Sequence, residues 1–158
     1  MHAAQPQGAQ PPPPPVRYKV LLVDDDDAGL RSLAAALEFE LDIATCSSGE
    51  RALALLGNGD FHVVCSDYSM GGMTGLELLQ RVALLPVPVG GLLLTGSSSF
   101  ISRHGAGVGD HYVLVKPVAP ERLLVLILQL ARTAEMKRSA NRLDRAQATR
   151  GPKGSSAR

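Results

Sequence analysis

At 158 residues with 45% hydrophobic content, the chain suits one domain with a real core, and no window approaches the roughly 18 unbroken apolar residues of a membrane span. The formal net charge of +1 hides a split: residues 17–134 carry nine Lys plus Arg against thirteen Asp plus Glu, and residues 135–158 carry seven basic side chains against two acidic ones. Cys46 and Cys65 lie apart in apolar runs, which excludes a close metal-binding pair and reads as small buried hydrophobes in a reducing cytoplasm.

Residues 1–16 hold no charge and run into five consecutive prolines, Pro11 to Pro15. Such a tail is extended polyproline II or disordered, and without a basic start and an apolar stretch it is no signal peptide. The first strand is Lys19 to Val23, an apolar run that stops at Asp24 to Asp27. A helix follows with Leu30, Leu33, Ala34 and Leu37 on one face. Asp42 to Cys46 forms the second strand, and Ser47 with Glu50 has capping-box spacing for a helix through Leu56, ended by Gly57 to Gly59. Phe61 to Ser66 is the third strand and ends at Asp67; Gly75 opens a helix that turns Leu76, Leu79, Val82 and Ala83 inward before Pro86 and Pro88 close it.

The fourth strand runs from about Val89 to Leu94 and ends at Thr95, with Gly96 to Ser99 as a loop. Phe100 to Gly109 carries three glycines and a weak apolar pattern, so any helix there is short. Tyr112 to Val115 is the fifth strand, ending at Lys116 and Pro117. Pro120 suits the first turn of a fifth helix with Leu123, Leu124, Ile127, Leu128 and Ala131 inside; the helical pattern extends toward Arg142 and Leu143 with little apolar face, predicting an exposed, frayed extension. The expected organisation is therefore a tail at 1–16, a domain at 17–134 and a basic helix extension with a disordered tail at 135–158.

Apolar runs alternating with helical patterns predict an α/β fold: a doubly wound, five-stranded parallel sheet with helices on both faces, and a ligand site outside the carboxyl ends of the strands. That edge collects Asp24, Asp25, Asp67, Thr95 and Lys116. Here the sequence resembles the receiver domain of bacterial two-component response regulators, over about residues 16–134. The resemblance rests on the strand leading into Asp24 and Asp25, on Asp67 followed by Met70, Gly75 and Leu76, on Leu93 to Gly96, and on Lys116-Pro117. It implies a flavodoxin-like fold and a phosphoacceptor at Asp67. It further implies Mg²⁺ held by Asp24, Asp25, Asp67 and the backbone carbonyl of Ser69, with Lys116 and Thr95 on phosphoryl oxygens. The implied partners are a histidine kinase or phosphotransfer protein and an output protein that reads the face of the fourth helix, fifth strand and fifth helix. That face is also the candidate surface for a homodimer. No separate turnover substrate is expected of such a signalling domain.

The chain departs from the family pattern in places. The aromatic usual three residues before the lysine is Val113, while Tyr112 stands four before. Either a bulge returns Tyr112 to that role or the aromatic switch is missing, because a one-residue offset on a strand reverses the face. Gly71 and Gly72 replace the proline usual after the Met of the acceptor loop, predicting a less rigid loop and slower phosphorylation. Thr74 stands where Asp or Asn is usual and remains a good N-cap. Asp26 and Asp27 read as helix-start residues favoured by the helix dipole rather than as metal ligands.

Two other classes compete. A haloacid-dehalogenase-type phosphatase also uses Asp, Thr, Lys and Mg²⁺, but Ala28 stands at its Thr position and no acid pair follows Lys116. A receiver-like interaction module that never uses phosphorylation is favoured only by Val113 and Gly71. His62, His104 and His111 lack ligand spacing. The basic tail has no interleaved aromatics and no room for a helix-turn-helix, so it reads as a solvated linker, with nucleic-acid binding not expected of it alone.

Overall fold

The computed structural model describes residues 15–105, 107–109 and 111–149. The expected polyproline tail through residue 14 and the C-terminal tail from residue 150 lie outside the described residues. In chain order the elements are β1 (Lys19–Val23), α1 (Asp27–Leu37), β2 (Asp42–Cys46), α2 (Gly49–Asn58), β3 (Val63–Asp67) and α3 (Gly75–Val82). They continue as β4 (Gly90–Thr95), α4 (Ser98–His104), β5 (Gly107–Val108), β6 (His111–Val115) and α5 (Pro120–Ala148). The sheet order is β2-β1-β3-β4-β6-β5. Five strands pair in parallel, and the two-residue β5 adds an antiparallel edge on β6. This is the doubly wound α/β sheet expected. The small hairpin strand is new, and α4 starts at Ser98, inside the segment read as loop.

Alternation along the central strands divides the core into two layers. Leu21, Val23, Val64 and Leu93 face α2 and α3, packing with Leu78, Leu79 and Phe100; Val20, Leu22, Val63, Cys65, Leu92 and Leu94 face α1 and α5, packing with Leu30, Leu123 and Ile127. Leu78 and Leu79 are fully buried, a contribution of about 1.5–3 kcal/mol each against leaving them in water. Leu78 takes an inward position of α3, and Ala83 lies exposed just past the helix end rather than inside. A glycine opens α3 because a Cβ at Gly75 would lie 2.1 Å from the Asp67 carbonyl oxygen.

Helix starts follow local chemistry. Asp26 caps α1, its carboxylate accepting from the Ala28 amide, and Asp27 follows in the first turn, as the dipole favours. Thr74 and Glu77 form a reciprocal capping box on α3. The α2 cap is Ser48, one residue later than expected, accepting from the Arg51 amide. That shift puts Glu50 out of the capping-box position and leaves its carboxylate for another partner.

Helix α5 runs past the sheet to Ala148. Arg138 on this stretch donates to the backbone carbonyls of Phe61 and Pro88. Glu135 pairs with Arg142 at 2.8 Å and with His62 at 3.6 Å, while His62 Nδ1 accepts from the Lys19 amide. The extension is thereby tied to the entry ends of β1, β3 and β4. Burial first, then the Arg138 charge, hold His62 below the usual histidine range against the opposing pull of Glu135.

Candidate functional site

Three strands end at one edge. Asp24 follows β1, its amide donating to the Cys46 carbonyl of β2, and Asp25 is the next residue on the same turn. Asp67 is the last residue of β3, buried among its neighbours. Oxygens of Asp24, Asp25 and Asp67 all lie within 4.8 Å of one another. Lys116, just past β6, reaches into this cluster: its Nζ lies 2.6 Å from Asp67 Oδ1 and 3.1 Å from Asp24 Oδ2. Partial burial disfavours the ammonium, but the hydrogen bonds to Asp67 and Asp24, with their charges, outweigh it and raise its pKa. It therefore stays charged at neutral pH and balances part of the acid cluster.

The other sequence-predicted residues are placed as follows. Thr95 ends β4 and is buried; its hydroxyl accepts from the Ser97 amide at 3.2 Å, turned toward the loop that leads to α4. Ser69 donates its amide to Asp67 Oδ2 at 3.0 Å, so the acceptor loop curls back over the carboxylate. Asp26 serves α1 rather than the cluster. His104 stacks on Phe100 with ring centroids 4.4 Å apart, and His62 joins the α5 network. Among the described residues, the group able to hold a metal is the acid trio alone. Several carboxylate oxygens converging on one point beside exposed loop backbone form the donor set of a hard divalent cation such as Mg²⁺, so the residues present fit that ion.

Strand β6 pairs with β4 in unbroken register, Leu92 with Tyr112 through Thr95 with Val115, so no bulge turns Tyr112 around. Val113, 4% exposed, packs in the layer with Phe100, whereas Tyr112 is 46% exposed on the other face. The usual place of the aromatic is thus aliphatic. An aromatic pair lies elsewhere: Tyr68, directly after Asp67, meets Phe100 of α4 with centroids 4.8 Å apart. Cys65 is fully enclosed beneath the site, and burial pushes its thiol up to about 12.

The model of the response regulator receiver domain matches residues 20–128. The chain belongs to that family. The receiver domain is 36% identical over 83 residues to the two-component response regulator ORR3 of Oryza sativa subsp. indica, covering 49% of this chain and 63% of that one. The chain spans less than two thirds of the length of the curated relatives it matches. Among solved structures it is similar to a CheY-like receiver domain protein from Methanospirillum hungatei JF-1, at TM-score 0.68 and 29% identity, covering 77% of this chain and 99% of that one. It is also similar to the response regulator TrrA of Thermotoga maritima, solved in complex with Mg²⁺ and BeF, at TM-score 0.64 and 27% identity over 72% of this chain and 98% of that one. Membership in this signalling family stands in place of the phosphatase alternative, and the acid trio lies within the matched residues.

One contributor was missed by sequence reasoning. Glu50, read as a capping residue, sends Oε1 to the Met73 amide at 3.2 Å, across from α2 to the acceptor loop. Its partner lies 23 positions along the chain, so no local window signals the contact.

Proposed function

We propose that this receiver accepts a phosphoryl group on Asp67 from a histidine kinase or phosphotransfer protein and signals through phosphorylation-dependent protein binding. The observation that carries the reading is the Lys116 ammonium lying against both Asp67 and Asp24, inside a trio of carboxylates at one strand edge. An Asp67 carboxylate oxygen attacks phosphorus in line, the bond from phosphorus to the donor's imidazole nitrogen breaks, and the imidazole leaves with the bonding pair. Lys116 exchanges its contact with Asp67 for one with a phosphoryl oxygen, where its charge counts most as negative charge shifts onto the acceptor. The Thr95 hydroxyl rotates from the Ser97 amide toward another phosphoryl oxygen, which links the site to the start of α4. Asp24, Asp25, Asp67 and the Ser69 carbonyl would hold Mg²⁺, which supplies charge neutralisation on the transferred group.

Incubation with a small phosphodonor tests this. Stoichiometric, Mg²⁺-dependent labelling is expected, and it should vanish in Asp67→Asn. Labelling that survives this substitution moves the acceptor elsewhere, and a wild type that takes no label under any divalent cation overturns the reading.

A further inference from the structure

The acceptor loop is held by a row of carboxylates. Every second amide along it donates to a different acid: Ser69 to Asp67 Oδ2 at 3.0 Å, Gly71 to Asp25 Oδ2 at 3.4 Å and Met73 to Glu50 Oε1 at 3.2 Å. Two of these acids belong to the acid trio; Glu50 does not. It comes from the first turn of α2, where Gly49 presses against the Met73 side chain, with a built Cβ only 2.9 Å from Sδ. Between the last two anchors Gly72 sits at φ +81°, with Glu50 Oε1 3.2 Å from where a Cβ would stand. The paired glycines alone would leave the chain free to sample many paths, yet here the Glu50 carboxylate and the buried Met73 side chain close the loop against α2.

We infer that Glu50 is a positioning residue: by accepting from the Met73 amide it fixes the Gly71–Gly72 turn so that the Gly71 amide meets Asp25 and the loop stays beside the acid trio. It takes over from outside the loop the stiffening that a proline within it would provide. The consequence for phosphorylation rests on the function proposed above; the consequence for the loop itself does not. Glu50 lies on the surface and touches no reacting atom, so removing it leaves the fold and the acid trio intact while loosening the geometry around them. An amide-to-carboxylate hydrogen bond is among the stronger polar contacts of a surface loop, so its loss should be measurable without any chemistry at Asp67.

The experiment compares wild type, Glu50→Ala and Glu50→Gln in the full chain, by amide hydrogen exchange across residues 69–74 without metal and by calorimetric titration with Mg²⁺. Glu50→Ala should speed exchange in this segment by about tenfold and weaken Mg²⁺ binding about threefold to tenfold. Glu50→Gln, which keeps an acceptor oxygen, should stay within about twofold of wild type in both. Unchanged exchange in Glu50→Ala overturns the inference. So does an equal loss in Glu50→Gln, which would assign the effect to charge rather than to the hydrogen bond. A wild type that takes no phosphoryl label would sink the proposed function while the exchange comparison still decides the role of Glu50.

Discussion

Lys116 and Asp67 form a direct ion pair, Nζ to Oδ1 at 2.6 Å, and the same ammonium reaches Asp24 at 3.1 Å, 92 positions away along the chain. Three acids gathered at one sheet edge repel one another, and Lys116 is the internal counter-charge that the chain itself supplies. The lysine and the proposed Mg²⁺ therefore address the same negative cluster.

Replacing Lys116 by Met should separate these two roles. Mg²⁺ should bind more tightly, because a positive charge leaves the cluster, while labelling of Asp67 should slow by about a hundredfold or more, the cost of removing one preorganised group from developing charge. Titration calorimetry and a labelling time course read the two effects; weaker Mg²⁺ binding would contradict the shared-cluster account.

Gly75 should not tolerate a side chain. A methyl there meets the Asp67 carbonyl oxygen at 2.1 Å and Leu93 Cδ1 at 2.7 Å, so Gly75→Ala should lose about 2–3 kcal/mol in urea unfolding and displace the acceptor. Gly57, near the end of α2 with nothing within 4 Å of a built Cβ, makes the contrast: Gly57→Ala should gain about 0.5 kcal/mol from helix propensity.

Stability should fall as pH is lowered from about 6.5. His62 has a folded pKa below the unfolded value of 6.5, so the unfolded chain takes up its proton first. The contribution of His62 is complete above the unfolded value and is lost as pH falls toward the folded one. Unfolding midpoints between pH 7.5 and 5.5 should show this slope, and His62→Gln should flatten it.

Arg138→Ala should destabilise the domain by about 1–3 kcal/mol, since the guanidinium donates to two backbone carbonyls at the entry of β3 and β4. Truncation after residue 134 should act in the same direction. Equal urea midpoints for wild type and the Arg138 variant would mean that the α5 extension merely projects from the domain.

Much of the fold was legible because burial of a parallel sheet imposes continuous apolar runs. The spans at β1 and β2 match the expected ones residue for residue, β3 and β4 differ by one or two residues at each end, and β6 differs by one residue at its start. The weak points were those where two neighbours offer the same chemistry. Ser47 and Ser48 are both good caps, and in the fold it is the Ser48 hydroxyl that accepts from the Arg51 amide. Leu76, Leu78 and Leu79 are all apolar, and only packing against the sheet puts Leu78 in the fully buried row with Ala83 outside. The segment before β6 was read as weak helix, whereas a seven-residue helix and a two-residue edge strand share it.

The candidate site divides in the same way. By itself the amino-acid order determined which carboxylates stand at strand ends, since each of Asp24, Asp25 and Asp67 interrupts an apolar run at its carboxyl side. Tertiary structure alone decided that Lys116 turns to both Asp24 and Asp67, that β6 keeps a regular register leaving Val113 inside, that Arg138 returns to the strand entries, and that Glu50 holds the acceptor loop. Strand ends are marked by local burial, which hydrophobic pattern records. The direction of a long side chain toward a partner on another element depends on sheet order and helix packing, which no local window contains.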